Sequence, residues 1–154
     1  MITTLDELSL APNARLLGID LGEKTIGLAL SDTLLTVATP METLKRGKFT
    51  ADAARLETII AAQGVGGIVL GLPLNMDGSA GPAAQAARAF GRNLAGRIAL
   101  PVVFWDERLS TAAVTRTLLD ADASRKRRGE VVDKMAAAYI LQGALERLRA
   151  MRTR

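Results

Sequence analysis

Apolar positions fall into short runs along the chain, and their period changes along its length. Leu16, Leu17 and Ile19 lead towards Gly22, and Ile26, Leu28 and Leu30 leave it with the alternation of a strand, which predicts a β-hairpin within residues 15–32. Residues 36–44 suit a third strand, with Pro40 confining it to an edge or a bulge. From residue 49 the period lengthens: Ala53, Leu56, Ile59 and Ile60 mark one face of an amphipathic helix over 49–63, which Gly64 ends. A buried-type strand over 67–70, a loop over 71–79, an alanine-rich helix opened by Gly81 and Pro82, and a strand over 101–105 follow. Ser110 or Thr111 is placed to cap a helix through Leu119, and a basic loop then leads to a final helix that begins near Glu130.

Three hairpin-connected strands followed by alternating helices and strands predict an α/β fold, a mixed five-stranded sheet with helices on its faces. No repeat or shift in composition divides residues 15–148, which read as one domain. Residues 1–14 read as an N-terminal extension, with Thr4 and Glu7 at capping-box spacing before Pro12. Residues 149–154 form a basic C-terminal tail, and Arg147, Arg149, Arg152 and Arg154 suit a solvated helix end.

Composition narrows the chemistry. With neither Cys nor His among 154 residues, disulfides, thiolate metal sites and imidazole catalysis are excluded. Carboxylates, hydroxyls, Lys and Arg remain, and the metals they favour are oxygen-seeking ones such as Mg2+ or Mn2+. An aromatic content of 3% argues against an aromatic stacking platform. A net charge of +4 with a pI near 10 favours polyanionic partners, nucleic acid above all. The opening residues lack a basic, apolar leader and no run approaches the length of a membrane span, so a cytoplasmic location and no membrane partner are expected.

Three acids stand at comparable places: Asp20 at the end of the first strand, Glu107 just past the strand over 101–105, and Asp133 in the first turn of the last helix. Ligands from two strand ends and a helix start can converge at one sheet edge. Acids so gathered repel one another without a cation, which predicts a site for one or two divalent metals. Ala136, Ala137, Ala138 and Gly143 are small enough to let the helix backbone approach the sheet. Each acid also has a plainer reading. Asp20 can be a turn residue with Gly22 and Lys24, Glu107 can pair with Arg108, and Asp133 can favour the helix dipole. Asp106 competes with Glu107, because neighbouring strand residues face opposite ways. An aspartate at a strand exit should also be accessible to solvent. Around the acids, Asn75 and Ser79 in the loop GLPLNMDGS, with Lys24 and the basic run Arg125, Lys126, Arg127 and Arg128, are candidates for contacting a nucleic-acid backbone.

The stretches GIDLGEKTIGLALSD, GLPLNMDGS, DERLST and SRKRRGEVVDKMAAAYIL, in this order and spacing, resemble the YqgF family of ribonuclease H-like nucleases, described as Holliday junction resolvases and as pre-16S rRNA processing nucleases. The resemblance covers the chain from Arg15 to about Leu148. It implies a ribonuclease H-like fold and a carboxylate metal site in which Asp20, Glu107 and Asp133 are both catalytic and metal-binding. Arg108, within the DER motif, joins the candidate nucleic-acid contacts. It further implies nuclease action on structured nucleic acid, with 5′-end processing of precursor 16S rRNA favoured over branched DNA, pre-ribosomal particles as partners, and a monomer or a homodimer.

Two other function classes compete. A non-catalytic ribosome-assembly factor would keep the fold and the basic surface but would not need the three acids. An actin-like ATPase shares a GIDLG-type first strand, yet clamps nucleotide between two such domains, and this chain has room for one and no GxxxxGK[ST] loop.

Overall fold

The computed structural model describes residues 1–109 and 125–152, the side chains of 125–133 excepted. In chain order the elements are β1 (Ile2–Thr3), a 3-10 turn (Leu5–Glu7), β2 (Arg15–Leu21), β3 (Thr25–Ser31), β4 (Ala38–Lys45), α1 (Phe49–Gln63), β5 (Val65–Leu72), α2 (Pro82–Arg97), β6 (Val102–Asp106), a second 3-10 turn (Glu107–Leu109) and α3 (Arg125–Arg152). The helix expected over 111–119 lies outside the described residues.

The strands form one mixed sheet in the order β1-β6-β5-β2-β3-β4. β2, β5, β6 and β1 run parallel, while β3 is antiparallel to both β2 and β4. The hairpin, the edge position of Pro40 and the limits of α1 match the sequence reading. Pro40 pairs with Ala29 beside a shift of register at Leu28/Ala29, where a missing N–H costs the ladder least. Gly64 closes α1 at φ +65°, the left-handed geometry that favours glycine.

Alternation along β2 divides the interior. Leu17 and Ile19 face a layer that contains Ala53, Leu56, Phe90 and Leu94 of α1 and α2. Leu16 faces the layer of Ala137, Ile140, Leu141, Ala144 and Leu145 of α3. At Gly18, on the α3 side, a Cβ would stand 2.8 Å from the Leu141 Cβ and 3.0 Å from the Ala137 carbonyl oxygen. The helix backbone therefore rests on β2 itself, as the small residues predicted.

Three boundaries differ from the sequence reading. Among the described residues the sheet has six strands, because the N-terminal extension contributes β1 beside β6: Ile2 pairs with Val102, and Val102 N–H donates to the Met1 carbonyl at 2.8 Å. That covers part of an edge otherwise bare. Leu8 and Leu10 then lie where a side chain on Gly67 would project. Thr4 precedes the 3-10 turn, but its side chain makes no capping bond. Secondly, β5 extends through Gly71 and Leu72, so the loop begins at Pro73. Thirdly, α3 begins at Arg125, and Arg125, Lys126, Arg127 and Arg128 are helical. Lys and Arg are good helix formers, and one interior glycine, Gly129, costs only about 1 kcal/mol.

Candidate active site

β2, β5 and β6 end side by side, and the acids follow from that register. Ile19 is level with Leu70, so Asp20 is level with Gly71 on the neighbouring strand. Gly71 is in turn level with Trp105 on β6. Asp20 lies two residues beyond Gly18, and Glu107 two beyond Trp105, which belongs to the α3 layer. Both acids thus project to the α3 side.

Gly71 leaves room for Glu107 on the strand next to that of Asp20. A Cβ there would stand 3.0 Å from Glu107 Oε2 and 2.5 Å from Ile140 Cδ1. The Glu107 carboxyl group therefore lies across the glycine, over the strand adjacent to Asp20, and neighbouring strands are about 4.8 Å apart. Asp20 is 3% exposed and Glu107 5%. The expectation of a solvent-accessible Asp20 is thus corrected: α3 packs over the strand end and covers it.

Asp106 and Glu107 lie on different sides of the sheet. Asp106 turns away from the α3 side and is held by Arg108, whose Nη2 donates to Oδ2 at 2.7 Å and whose Nε and backbone N–H donate to Oδ1 at 3.1 and 3.0 Å. These bonds hold the Asp106 carboxyl group below the usual carboxylate range, the Arg108 side-chain bond contributing most. Arg108 is stabilised in its charged form by the same contact.

Asp133 lies one turn before Ala137 on α3. Gln142, farther along, accepts from the Ala38 N–H, and Ala38 is paired with Ser31 at the opposite end of the hairpin from Asp20. The helix therefore runs antiparallel to β2, and its backbone brings position 133 to the Asp20 end of the sheet. The Asp133 side chain lies outside the described residues, among which no three potential metal ligands gather. Arg125 to Arg128 lie further towards the helix start, with Arg125 about 18 Å along the axis from Ala137 at 1.5 Å per residue.

Of the polar candidates, Lys24 is exposed in the hairpin turn, which Arg46 braces by donating to the Gly22 carbonyl at 2.9 Å. Asn75 and Ser79 close the loop after β5 upon itself. Asn75 Nδ2 donates to Ser79 Oγ at 3.0 Å, Asn75 N–H to the Ser79 carbonyl at 2.9 Å, and Ser79 N–H to Asp77 Oδ1 at 2.9 Å. The bonds from Ser79 lower the Asp77 carboxyl pKa. Arg108 Nη1 donates to the Met76 carbonyl at 3.2 Å, which ties this loop to the end of β6. Arg108, a candidate for contacting nucleic acid, is also a strut between this loop and Asp106. The sequence reading missed this strut and the part played by Gly71. A glycine at the end of an apolar run was the available signal, and it was assigned to the loop.

Chemically, two buried carboxylates one strand apart, in a chain whose side chains offer no nitrogen or sulfur ligand of the His or Cys type, form a donor set that suits a hard divalent cation.

The family model RuvX, described as Holliday junction resolvase, matches residues 14–147. A protein of Roseobacter denitrificans named "Putative pre-16S rRNA nuclease" is 62% identical over 152 residues, covering 97% of this chain and 93% of that one. Another of the same name from Paramagnetospirillum magneticum is 64% identical over 138 residues, covering 90% and 89%. Among solved structures, Thermus thermophilus RuvC in complex with a Holliday junction substrate aligns with a TM-score of 0.53 at 13% identity, over 90% of this chain and 96% of that one. The yeast mitochondrial Holliday junction resolvase Ydc2 aligns with a TM-score of 0.50 at 13% identity, over 97% and 84%. At such identities the two structures speak for the fold alone, which is ribonuclease H-like. The family rests on the sequence matches: the chain belongs to the RuvX, or YqgF, family and is a nuclease that hydrolyses phosphodiester bonds.

Proposed function

We propose that this nuclease cleaves structured RNA and trims the 5′ end of precursor 16S rRNA, with Asp20, Glu107 and Asp133 as the acids of a divalent-metal site. The observation that carries the reading is the burial of Asp20 and Glu107 at one end of the sheet, with the Glu107 carboxyl group over Gly71 on the strand next to that of Asp20. The names of relatives at 62% and 64% identity favour RNA as the substrate.

Mg2+ or Mn2+, when bound, supplies acidity to a water and neutralises charge on the phosphoryl oxygens. Asp20 and Glu107 hold their carboxylate oxygens on rigid strand ends, so that little reorganisation accompanies binding of substrate. Asp133, brought to the same end by α3, completes the set. Lys24 on the braced hairpin turn and Arg125, Lys126, Arg127 and Arg128 at the start of α3 draw the polyanionic backbone towards the acids. Asn75 and Ser79 fix the loop that borders the cleft. Such a protein works in the cytoplasm, on free precursor RNA or on pre-ribosomal particles.

A second reading, resolution of four-way DNA junctions, is favoured by the description of the family model. A two-fold junction calls for a homodimer, whereas RNA trimming is compatible with a monomer.

The test is cleavage of precursor 16S rRNA and of a four-way DNA junction, with and without Mg2+, alongside measurement of solution mass. Metal-dependent cuts at the 5′ end of 16S rRNA are expected. Cleavage of the junction alone by a dimer would transfer the assignment to the second reading, and tight RNA binding with neither metal binding nor cleavage would point to a non-catalytic assembly factor.

A further inference from the structure

The chain's one Trp, one Tyr and three Phe all lie within described residues, and none of them is exposed. No aromatic side chain is therefore presented for stacking on a base. Large apolar groups do reach solvent at two places beyond the ends of β5 and β6: Met76 is 89% exposed and Leu109 69%. Lone exposed apolar residues are common on protein surfaces and need no explanation. Met76 differs in how it is held and in where it stands.

It sits at the apex of a turn locked from both sides. Gly78 N–H donates to the Asn75 carbonyl at 2.8 Å, and Gly78 adopts φ +89°, which a side chain would strain. Asp77 accepts from both the N–H and the hydroxyl of Ser79, at 2.9 and 2.6 Å. The Met76 carbonyl is tied to Arg108, the residue that follows Glu107. The polar side chains of the turn are engaged in these bonds, whereas the Met76 side chain is almost wholly exposed. A turn this fixed, with a flexible apolar side chain at its apex and its backbone tied to the residue that follows a buried acid, is suited to meeting a planar apolar surface at this end of the sheet. Proteins that distort nucleic acid insert such side chains, methionine among them, between base steps.

We propose that Met76 is a specificity-determining wedge which engages nucleobases next to the scissile phosphodiester and so selects nucleic acid whose bases there are unpaired or easily unstacked. This rests on the nuclease reading of the adjoining acids. Arg108 is the positioning residue that sets the height of the wedge relative to Glu107. Unstacking a paired step costs a few kcal/mol, so a wedge favours sites where that cost is already met by a bulge or mismatch.

The experiment compares the full chain with Met76→Ala and Met76→Leu on a short RNA duplex carrying 2-aminopurine opposite a single-nucleotide bulge, and on the fully paired duplex of the same sequence. Equilibrium binding is followed by anisotropy and by 2-aminopurine emission without added metal, and cleavage is followed with Mg2+. Wild type should brighten the 2-aminopurine and favour the bulged duplex. Met76→Ala should lose the brightening and reduce the bulged-to-paired preference by roughly tenfold in both binding and kcat/KM, and Met76→Leu should restore most of each. Equal brightening and equal preference in wild type and Met76→Ala would overturn the wedge, as would failure of the wild type to bind either duplex. The binding arm needs no catalysis. A wild type that brightens the probe yet never cuts therefore refutes the nuclease reading while leaving the wedge supported.

Discussion

Glu107 lays its carboxyl group across Gly71, with Oε2 3.0 Å from the place where a Cβ on that glycine would stand. The glycine is thus a vacancy shaped for an acid from the next strand, and through it β5 joins the side chains of β2 and β6 on one face.

Gly71→Ala should therefore damage the site more than the fold's average alanine substitution. The new methyl group would lie 2.5 Å from Ile140 Cδ1 as well as against Glu107, so overpacking should destabilise the protein by about 1–3 kcal/mol. Activity should fall further than stability explains, because Glu107 is displaced from Asp20. Urea unfolding together with cleavage assays under conditions where the variant is fully folded separates the two effects. Wild-type activity in a folded Gly71→Ala protein would show that the position of Glu107 is not critical.

Much of this was readable before any coordinates. The switch of apolar period from two to 3.6 placed β2, β3, α1 and α2 within a residue or two, since the strands are apolar along their length and each helix keeps one apolar face towards the sheet. The acids stood out because the chain has no His or Cys to compete with them. Two kinds of feature stayed hidden. Ile2 and Thr3 form a strand only because β6 offers them an edge about a hundred residues away, which no local pattern records. Likewise, Asp106 and Glu107 differ only in the face each meets. That difference depends on the register of β6 against β5 and on the room left by Gly71.

Arg108→Ala should free the loop after β5 from β6. The amide protons of Gly78 and Ser79 should exchange faster in the variant, since the Met76 carbonyl loses its donor while the bonds within the turn remain. Global unfolding should change little. Arg108→Lys cannot grip both Asp106 oxygens and reach Met76 at once, so it should rescue poorly. Hydrogen exchange followed by NMR or mass spectrometry checks this, and unchanged exchange across residues 75–79 would contradict the strut.

Asp32 provides a pH marker remote from the acids. Its carboxylate accepts bonds from the Thr36 hydroxyl and from the N–H groups of Val37 and Thr36, which lower its pKa from 3.8 to about 2. The charged form is the one stabilised. Its contribution to the turn between β3 and β4 is therefore fully present above pH 3.8 and is lost as pH falls through about 2. Carboxyl carbon shifts in a carbon-13 NMR titration should show a midpoint for Asp32 well below those of other exposed aspartates. Asp32→Asn should remove that dependence. A midpoint near 3.8 would mean that the turn is not held this way.

The central claim, that Asp20 and Glu107 act together as acids of one metal-assisted phosphodiester site, is tested most directly by Mg2+-dependent cleavage of precursor 16S rRNA with wild type, Asp20→Asn and Glu107→Gln compared side by side. Both substitutions keep shape and remove charge. Each should lower kcat by more than about a hundredfold, beyond the 10–100-fold that partners outside the ligand set typically cost, and each should weaken Mn2+ binding by calorimetry. Folded variants that cut and bind metal as the wild type does would contradict the account.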